Sequence, residues 1–379
     1  MLRDMKRAGM RDLQRRIESF ADEGLDWTTF VSRTGALLRD AMQFDRTCWH
    51  PVDPGTHLFT GSMSFNMVCS GAWLAELEYA VDDFNKWHAL AIGEKRAASL
   101  HVTTKGDLSK SARARSSAEF GSPISDELRV SFVSQGTYWG AAGIIRKEGE
   151  TPFTAEDLEL LELLAPAIGD GFRRAMIALP TERKNADDDD ANASSGVFVL
   201  GESGALVSSS LGAERLVDRL SETPRPVAPH EARAVQAVAA SARGGGTAFA
   251  RARTNDGQWL QLYATPLAGE RSGHVAVVIQ PAAPQDVAPL VARAYGLSTA
   301  ERRIARMCLE GRSTKAIADA LDITEYTVQD HLKAIFRKTG ASTRGELVAR
   351  VFLEHYVPRF EAVDDATDGW SGETIKAPK

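Results

Sequence analysis

Phe30, Val31, Thr34, Leu37, Leu38, Ala41 and Met42 recur every three or four positions, the mark of a helix that buries one face. Beyond Met42 the pattern shortens into runs such as His57 to Thr60, which predicts a change from helix to sheet. A further helix is predicted over Ala72 to Phe84, then strands over Glu127 to Gln135 and Tyr138 to Arg146 around a turn at Gly136-Thr137. Thr154 with Asp157 has the form of a capping box that Phe153 can staple. Leu158, Leu161, Ala165, Ile168 and Phe172 then trace one face of a long helix, which Pro166 should bend.

Later in the chain, Val197 to Leu200 predicts a strand, Gly201 to Gly204 a turn, and a second short strand leads to a helix around Gly212 to Leu220. Trp259 to Ala264 alternates after the Asp256-Gly257 turn, and His274 to Ile279 predicts a last, largely apolar strand. Between these elements lie an Ala-rich stretch and the loop Gly244-Gly245-Gly246, which has no recognisable partner. From Leu297 the signals sharpen into four short helices. Ser298 to Glu301 is a capping box, with Ile304, Cys308 and Leu309 behind it and Gly311 as a stop. Ser313 caps a second helix to Leu321, with Ile317, Ala320 and Leu321 inward, and Asp322 suits a tight left-handed turn. Thr324 caps a third helix that Gly340 ends, and Thr343 to Glu346 opens a fourth.

On a wheel of about 3.6 residues per turn, Val328, Leu332, Ile335 and Thr339 of the third helix share one arc. Tyr326, Asp330, Lys333 and Arg337 lie opposite, flanked by Gln329 and Ala334. Two short helices joined by a tight turn, the second with a polar, partly basic outer face, predict a helix-turn-helix that enters a DNA major groove.

Charge and composition divide the 379 residues. The acidic run Asp187 to Asp190 within 181–195 repels itself and packs nothing, and Pro281, Pro284 and Pro289 oppose a continuous helix or central strand over 281–296. Ser298 to Phe360 holds 11 Lys or Arg against 8 Asp or Glu, although the whole chain is at -6. The basic surplus therefore sits in one segment, which argues against a protein that coats nucleic acid along its whole length. The organisation read from these breaks is an N-terminal helix (1–19), a folded domain (20–180), an acidic linker (181–195), a second domain (196–280), a linker (281–296), the helical domain (297–360) and a disordered acidic tail (361–379). No run is apolar for long enough to cross a membrane, and Cys48, Cys69 and Cys308 form no disulfide framework, so a cytoplasmic protein is expected.

Other chemistry finds little support. Cys48, His50, His57 and Cys69 have no metal-ligand spacing, and no metal or cofactor is expected. Lys105 to Ser111 lacks the arrangement that wraps a triphosphate and reads as a loop. No nucleophile elbow, paired-carboxylate site or phospho-acceptor pattern is visible, so no enzyme is expected. Trp49, Phe59, Trp73, Trp87 and Trp139 are candidates for the lining of an apolar ligand pocket, against the alternative of ordinary core.

The run Pro152 to Glu159 and the order of helix, strands, helix, strands and terminal helix over 20–180 resemble a GAF domain. Residues 196–280 are similar to a PAS-type sensor. The stretches Leu297 to Glu301, Gly311 to Ala318, Thr327 to Leu332 and Lys338 to Ala341 resemble the LuxR-type family of DNA-binding domains. Together these resemblances imply a multidomain α+β chain: GAF-like and PAS-like antiparallel-sheet sensor domains, then an all-α, four-helix LuxR-type helix-turn-helix domain. They imply a homodimer on double-stranded DNA, packed through the fourth helix (Arg344 to Phe352), with a small-molecule effector or a protein partner acting on the sensor. By position, Gln329, Asp330 and Lys333 would contact bases, and Thr314, Lys315, Thr324, Thr327, Arg337 and Lys338 would meet phosphates. Gln329, Asp330 and Ala300 depart from the family's usual residues. The competing expectation is a signalling enzyme or interaction scaffold whose C-terminal helices bind protein.

Overall fold

The computed structural model describes residues 2–67, 70–178, 195–220, 222–268 and 273–350. Cys69, the acidic run 187–190, Phe352 and the tail lie outside the described residues. The described residues form two compact units, one up to Ala282 and one from Ala283 onward. Among them no helix is long and apolar enough to cross a membrane.

The first unit runs α1 (Leu2–Asp22), α2 (Trp27–Met42), β1 (Arg46–Pro51), β2 (Ser62–Phe65), α3 (Gly71–Ala75), α4 (Trp87–Ile92), β3 (Ala97–Ser99), α5 (Leu100–Thr104), α6 (Ala112–Glu119), β4 (Ile124–Ser134), β5 (Thr137–Lys147) and α7 (Ala155–Ala175). It continues with β6 (Gly196–Leu200), β7 (Leu206–Ser209), α8 (Leu211–Asp218), β8 (Glu222–Thr223), α9 (Arg233–Arg243), β9 (Ala248–Arg253), β10 (Trp259–Pro266) and β11 (Val275–Pro281). One sheet has the order β3-β4-β5-β1-β2-β8 and the other β7-β6-β11-β10-β9. Every pairing between these strands is antiparallel except the parallel one of β2 with β8.

The hairpin β4–β5 turns at Gln135-Gly136, one residue earlier than expected. Both residues have positive φ, 51° and 69°. Two such residues in a two-residue loop match the right-handed twist of the flanking strands. The capping box at Thr154 forms as expected, and α7 runs unbroken through Pro166. Ile168 and Phe172 of α7 are buried, with α1 and α2 packed beside the same helix.

Three expectations are corrected, and one helix lies where none was predicted. His57 to Thr60 is no strand, because His57 takes φ 63° and Phe59 keeps only an isolated bridge to Val52. The helix expected over 72–84 ends at Ala80, its second half being a π turn at Glu76–Ala80. The Ala-rich stretch with no predicted element holds α9, whose face Ala234, Val235, Val238 and Ala239 is fully buried. The proline-rich stretch 281–296, expected to be a linker, contains a helix, Pro284–Ala294. Pro284 stands in its first turn, where no N–H is missed. Pro289 in the interior costs about 3 kcal/mol. Burying Val287, Leu290 and Val291, each worth roughly 1.5–3 kcal/mol, outweighs it.

The two sheets do not stand apart. Cys48, Phe59, Trp87 and Ala141 from the first belong to the same hydrophobic core as Phe198, Leu216, Val238, Leu262 and Ile279 from the second segment. Polar links cross the same seam. Arg251 grips Asp53 with Nε to Oδ2 at 2.9 Å and Nη2 to Oδ1 at 2.7 Å, and the N–H groups of Arg251 and Gly55 donate to the same carboxylate at 2.9 and 2.8 Å. Glu231 accepts from Ser70 Oγ at 2.8 Å and from the Gly71 N–H at 2.7 Å, at the start of α3. Glu222, on β8, is buried, which pushes its carboxyl up to about 7.

Asp53 is wholly buried, so removing its cation strands a charge in the interior. Arg251→Met is expected to destabilise the first unit by about 3 kcal/mol, read from the midpoint of chemical denaturation. An unchanged midpoint would show that the seam does not depend on this pair.

Candidate nucleic-acid interface

The second unit consists of α10 (Pro284–Ala294), α11 (Thr299–Leu309), α12 (Thr314–Leu321), α13 (Glu325–Thr339) and α14 (Arg344–Val348). Ser298 and Glu301 close a reciprocal capping box at the start of α11, and Gly311 ends the following turn with φ 73°. Ser313 caps α12 through the Ala316 N–H. Asp322 adopts φ 54° and ψ 49°, and its N–H closes α12 on the Ala318 carbonyl. This left-handed residue lets the chain reverse within three residues. Thr324 then caps α13 by accepting the Thr327 N–H at 3.1 Å.

Val328, Leu332, Ile335 and Thr339 are the buried residues of α13, at the spacing of one helical face. Thr339 belongs with the apolar side because its hydroxyl donates back to the Ile335 carbonyl at 2.9 Å. Tyr326, Gln329, Asp330, Lys333 and Arg337 are exposed. Of the residues expected inward on α12, Ile317 is buried and Leu321 half-buried, while Ala320 is exposed and Ala318 is buried instead. The shift by two positions turns α12 slightly about its axis. A small residue at either place satisfies the pattern, so the sequence does not distinguish them.

The nine candidate contacts differ in what already holds them. Lys333 Nζ donates to Asp330 Oδ1 at 3.0 Å and lies 5.9 Å from the centre of the Tyr326 ring. Hydrogen bonding to Asp330 raises the Lys333 ammonium above its ordinary value. The pair is exposed and three residues apart, so it is weak and easily exchanged. Gln329 and Arg337 stand exposed on the same helix, and Lys315 is exposed on α12. Thr324 and Thr327 bond each other's hydroxyls at 2.9 Å. Thr314 is half-buried and accepts from Arg344 Nη2 at 2.8 Å, while Arg344 Nη1 donates to the Arg312 carbonyl at 2.7 Å.

Lys338 is the most committed of them. Its Nζ donates to Glu301 Oε2 at 2.7 Å, so it ties the C-terminal end of α13 to the capping box of α11. Helical spacing could not reveal this link, because it joins residues 37 apart. Arg344, which spacing places only in the fourth helix, joins that helix to the entry of α12.

Elsewhere, the five aromatic candidates do not line one cavity. Trp49 stacks on Phe132, with ring centres 5.4 Å apart, and Phe132 stacks on Phe172 of α7. Phe59 is packed against His50, Tyr79 and Trp87. Trp139 donates to the Ser134 carbonyl in the hairpin at 3.2 Å. Trp73 and Trp87 line a cavity of about 330 Å³ beside β1 and β4. Among the described residues no three His, Cys, Asp or Glu side chains gather to hold a metal ion. His57 meets His88, Nδ1 to Nδ1 at 3.0 Å, while Cys48 is buried in the core.

Tight turn, buried stripe and polar outer face together make α12 and α13 a helix-turn-helix. Residues 296–351 match the family described as bacterial regulatory proteins, luxR family, and form a LuxR-type domain. The chain is 47% identical over 57 residues to the monoamine regulon transcriptional regulator of Klebsiella aerogenes, a match that covers 15% of this chain and 25% of that protein. It thus spans about a quarter of the length of that relative. Two solved structures also align. The phage VqmA-DPO complex is 16% identical, over 50% of this chain and 89% of that one, with TM-score 0.18. The Vibrio cholera VqmA-Ligand-DNA complex is 18% identical, over 42% and 82%, with TM-score 0.21.

Burial pushes the Glu301 carboxyl up, but the Lys338 ammonium and the Ser298 N–H outweigh it and hold the carboxyl below the ordinary glutamate range. A carboxyl held low stabilises the fold above its unfolded pKa, about 4.3, and that stability is lost as pH falls through the lower folded value. Lys338→Met is expected to lower the stability of the helical unit at pH 7 and to shrink its loss on acidification below about pH 4.3. Thermal melts of the full chain at pH 7 and in that acid range check it, and the same acid loss in both proteins would exclude the link as its source.

Proposed function

We propose that this chain is a sequence-specific, DNA-binding transcriptional regulator, acting as a cytoplasmic homodimer and not as an enzyme. The observation that carries the proposal is the face of α13 opposite Val328, Leu332 and Ile335. It holds Gln329, Asp330, Lys333 and Arg337 in solvent on a helix that the Asp322 turn projects from α12. A helix so presented fits the major groove. Gln suits adenine, and Asp accepts from the cytosine amino group. Lys333 reaches a guanine edge once its weak bond to Asp330 opens. Arg337, Lys315, Thr324 and Thr327 meet phosphates, and the free N–H groups at the starts of α12 and α13 add to them. Thr314 and Lys338 contribute at the cost of bonds they already make. The Klebsiella relative, named as a transcriptional regulator, supports this reading over the matched stretch.

The first unit is the sensor in this proposal. Its sheet orders and its crossover helices α3 to α6 support a GAF-like segment followed by a PAS-like one. A small molecule or a protein partner bound there sets the spacing of two DNA readers, paired through the fourth helix on half-sites about 10 bp apart.

Lys333→Ala is expected to weaken operator binding and flatten base preference at one position, by about 1–3 kcal/mol of discrimination. Arg337→Ala should weaken all sequences alike and lower the slope of log affinity against log salt by about 1. Mobility-shift titrations of full-length protein against a selected operator, at several salt concentrations, measure both. Titrations unchanged by either substitution would remove α13 from the interface.

A further inference from the structure

The cavity of about 330 Å³ beside β1 and β4 has an unusual wall. Trp73, Leu74, Trp87, Ile124 and Ile145 supply flat and apolar surface. Arg46, Arg113 and Arg129 supply three guanidinium groups against the single lining carboxylate of Glu127.

That carboxylate is already shared. Its Oε1 accepts from Arg129 Nε at 3.0 Å, and its Oε2 accepts from Arg113 Nε. Behind the wall, Glu78 Oε2 takes Arg129 Nη1 at 2.8 Å, and Asp83 Oδ2 takes Arg113 Nη1 at 3.0 Å. Arg129 is further fixed by lying 3.7 Å from the centre of the Trp87 ring. Arg113 is only 4% exposed, and its Nη2 finds no hydrogen-bond partner among the described residues. Arg46 Nε also lacks a hydrogen bond, with the Asp45 carboxylate 3.4 Å away. A buried guanidinium N–H left without an acceptor is costly, so an acceptor placed there is favoured. The bound side of the account is an acceptor brought by something else.

We propose that this cavity binds a small aromatic carboxylate, its ring between Trp73 and Trp87 and its oxygens on Arg113 Nη2 and Arg46. The proposal rests on the reading of the first unit as a sensor and specifies what it senses. The carboxylate completes Arg113 and gains the charge-assisted bonds that a guanidinium offers. The two indoles accept a flat apolar body and exclude bulky aliphatic acids. Nothing in the cavity offers a ligand cation an unshared carboxylate, because both oxygens of Glu127 are occupied.

Titration calorimetry of the full chain with benzoate, phenylacetate and indole-3-acetate, each beside its neutral amide, tests the proposal. At least one acid should bind saturably, with its amide weaker by about tenfold or more. Arg113→Lys keeps a positive charge without Nη2 and should lose a similar factor, and so should Arg46→Met, which lies outside the buried network. Absence of saturable binding by every acid at millimolar concentration, or equal binding of acid and amide, overturns the proposal. So does affinity unchanged in Arg46→Met. Mobility shifts on the same preparation, without ligand, read DNA binding separately. Thus DNA binding without acid binding removes the ligand class alone, and acid binding without DNA binding removes the regulator reading alone.

Discussion

A carboxylate inside a protein stays charged only where cations and N–H groups replace the water it has lost, and the first unit is arranged around that constraint. Asp53 has no exposure and receives four donors, three of them from Arg251 nearly two hundred residues later. Glu231 lies on the second segment and meets its donors at the start of α3 in the first. Neither acid can be satisfied within its own segment. The burial of Asp53 and the bonds of the half-buried Glu231 therefore hold the two segments together, beside the shared core of Phe59, Trp87, Phe198 and Leu262. Two sheet-bearing segments separated by an acidic stretch thus form a single compact unit.

The same rule operates at smaller scale in the helical unit. Glu301 accepts from the Ser298 N–H and from Lys338, so one carboxylate starts α11 and anchors the end of α13. Arg344 performs the reverse task, capping the Arg312 carbonyl and gripping Thr314. Between these two anchors the middle of α13 has its apolar side fixed and its polar side unencumbered. The proposed role of α13 as a reading helix fits this combination, because its orientation is set by contacts remote from its exposed face. Lys338 belongs to the anchor first, and this separates it from Arg337 despite their adjacent places.

Helices with a single buried stripe were legible from spacing: α7, α11 and α13 lie where apolar periodicity and Ser or Thr caps placed them, and α2, capped by Asp26, lies where periodicity alone placed it. Those signals are local, so one stretch of chain contains all the physics that produces them. Elements whose pattern was hidden had another source of stability. Helix α9 is buried nearly all round and shows no polar face, and α10 carries an interior proline that its buried valines and leucine override. His57 to Thr60 alternates like a strand but is held as a loop by the Phe59 N–H donating to the Tyr79 hydroxyl. The charged pair Glu127 and Arg129, two apart on β4, was a visible sign of an inward polar face. Its partners Glu78, Asp83 and Arg113 come from elements that spacing could not bring together.

The amino-acid order alone determined the helix-turn-helix, since caps, a left-handed Asp322, a terminal Gly340 and a stripe at 328, 332, 335 and 339 act over a few residues each. Tertiary structure decided which of five aromatic residues meet at a cavity, that two arginines share one carboxylate there, and that two sheets share one interior. Burial and charge pairing depend on groups distant in the chain but close in space, and no local pattern records that proximity.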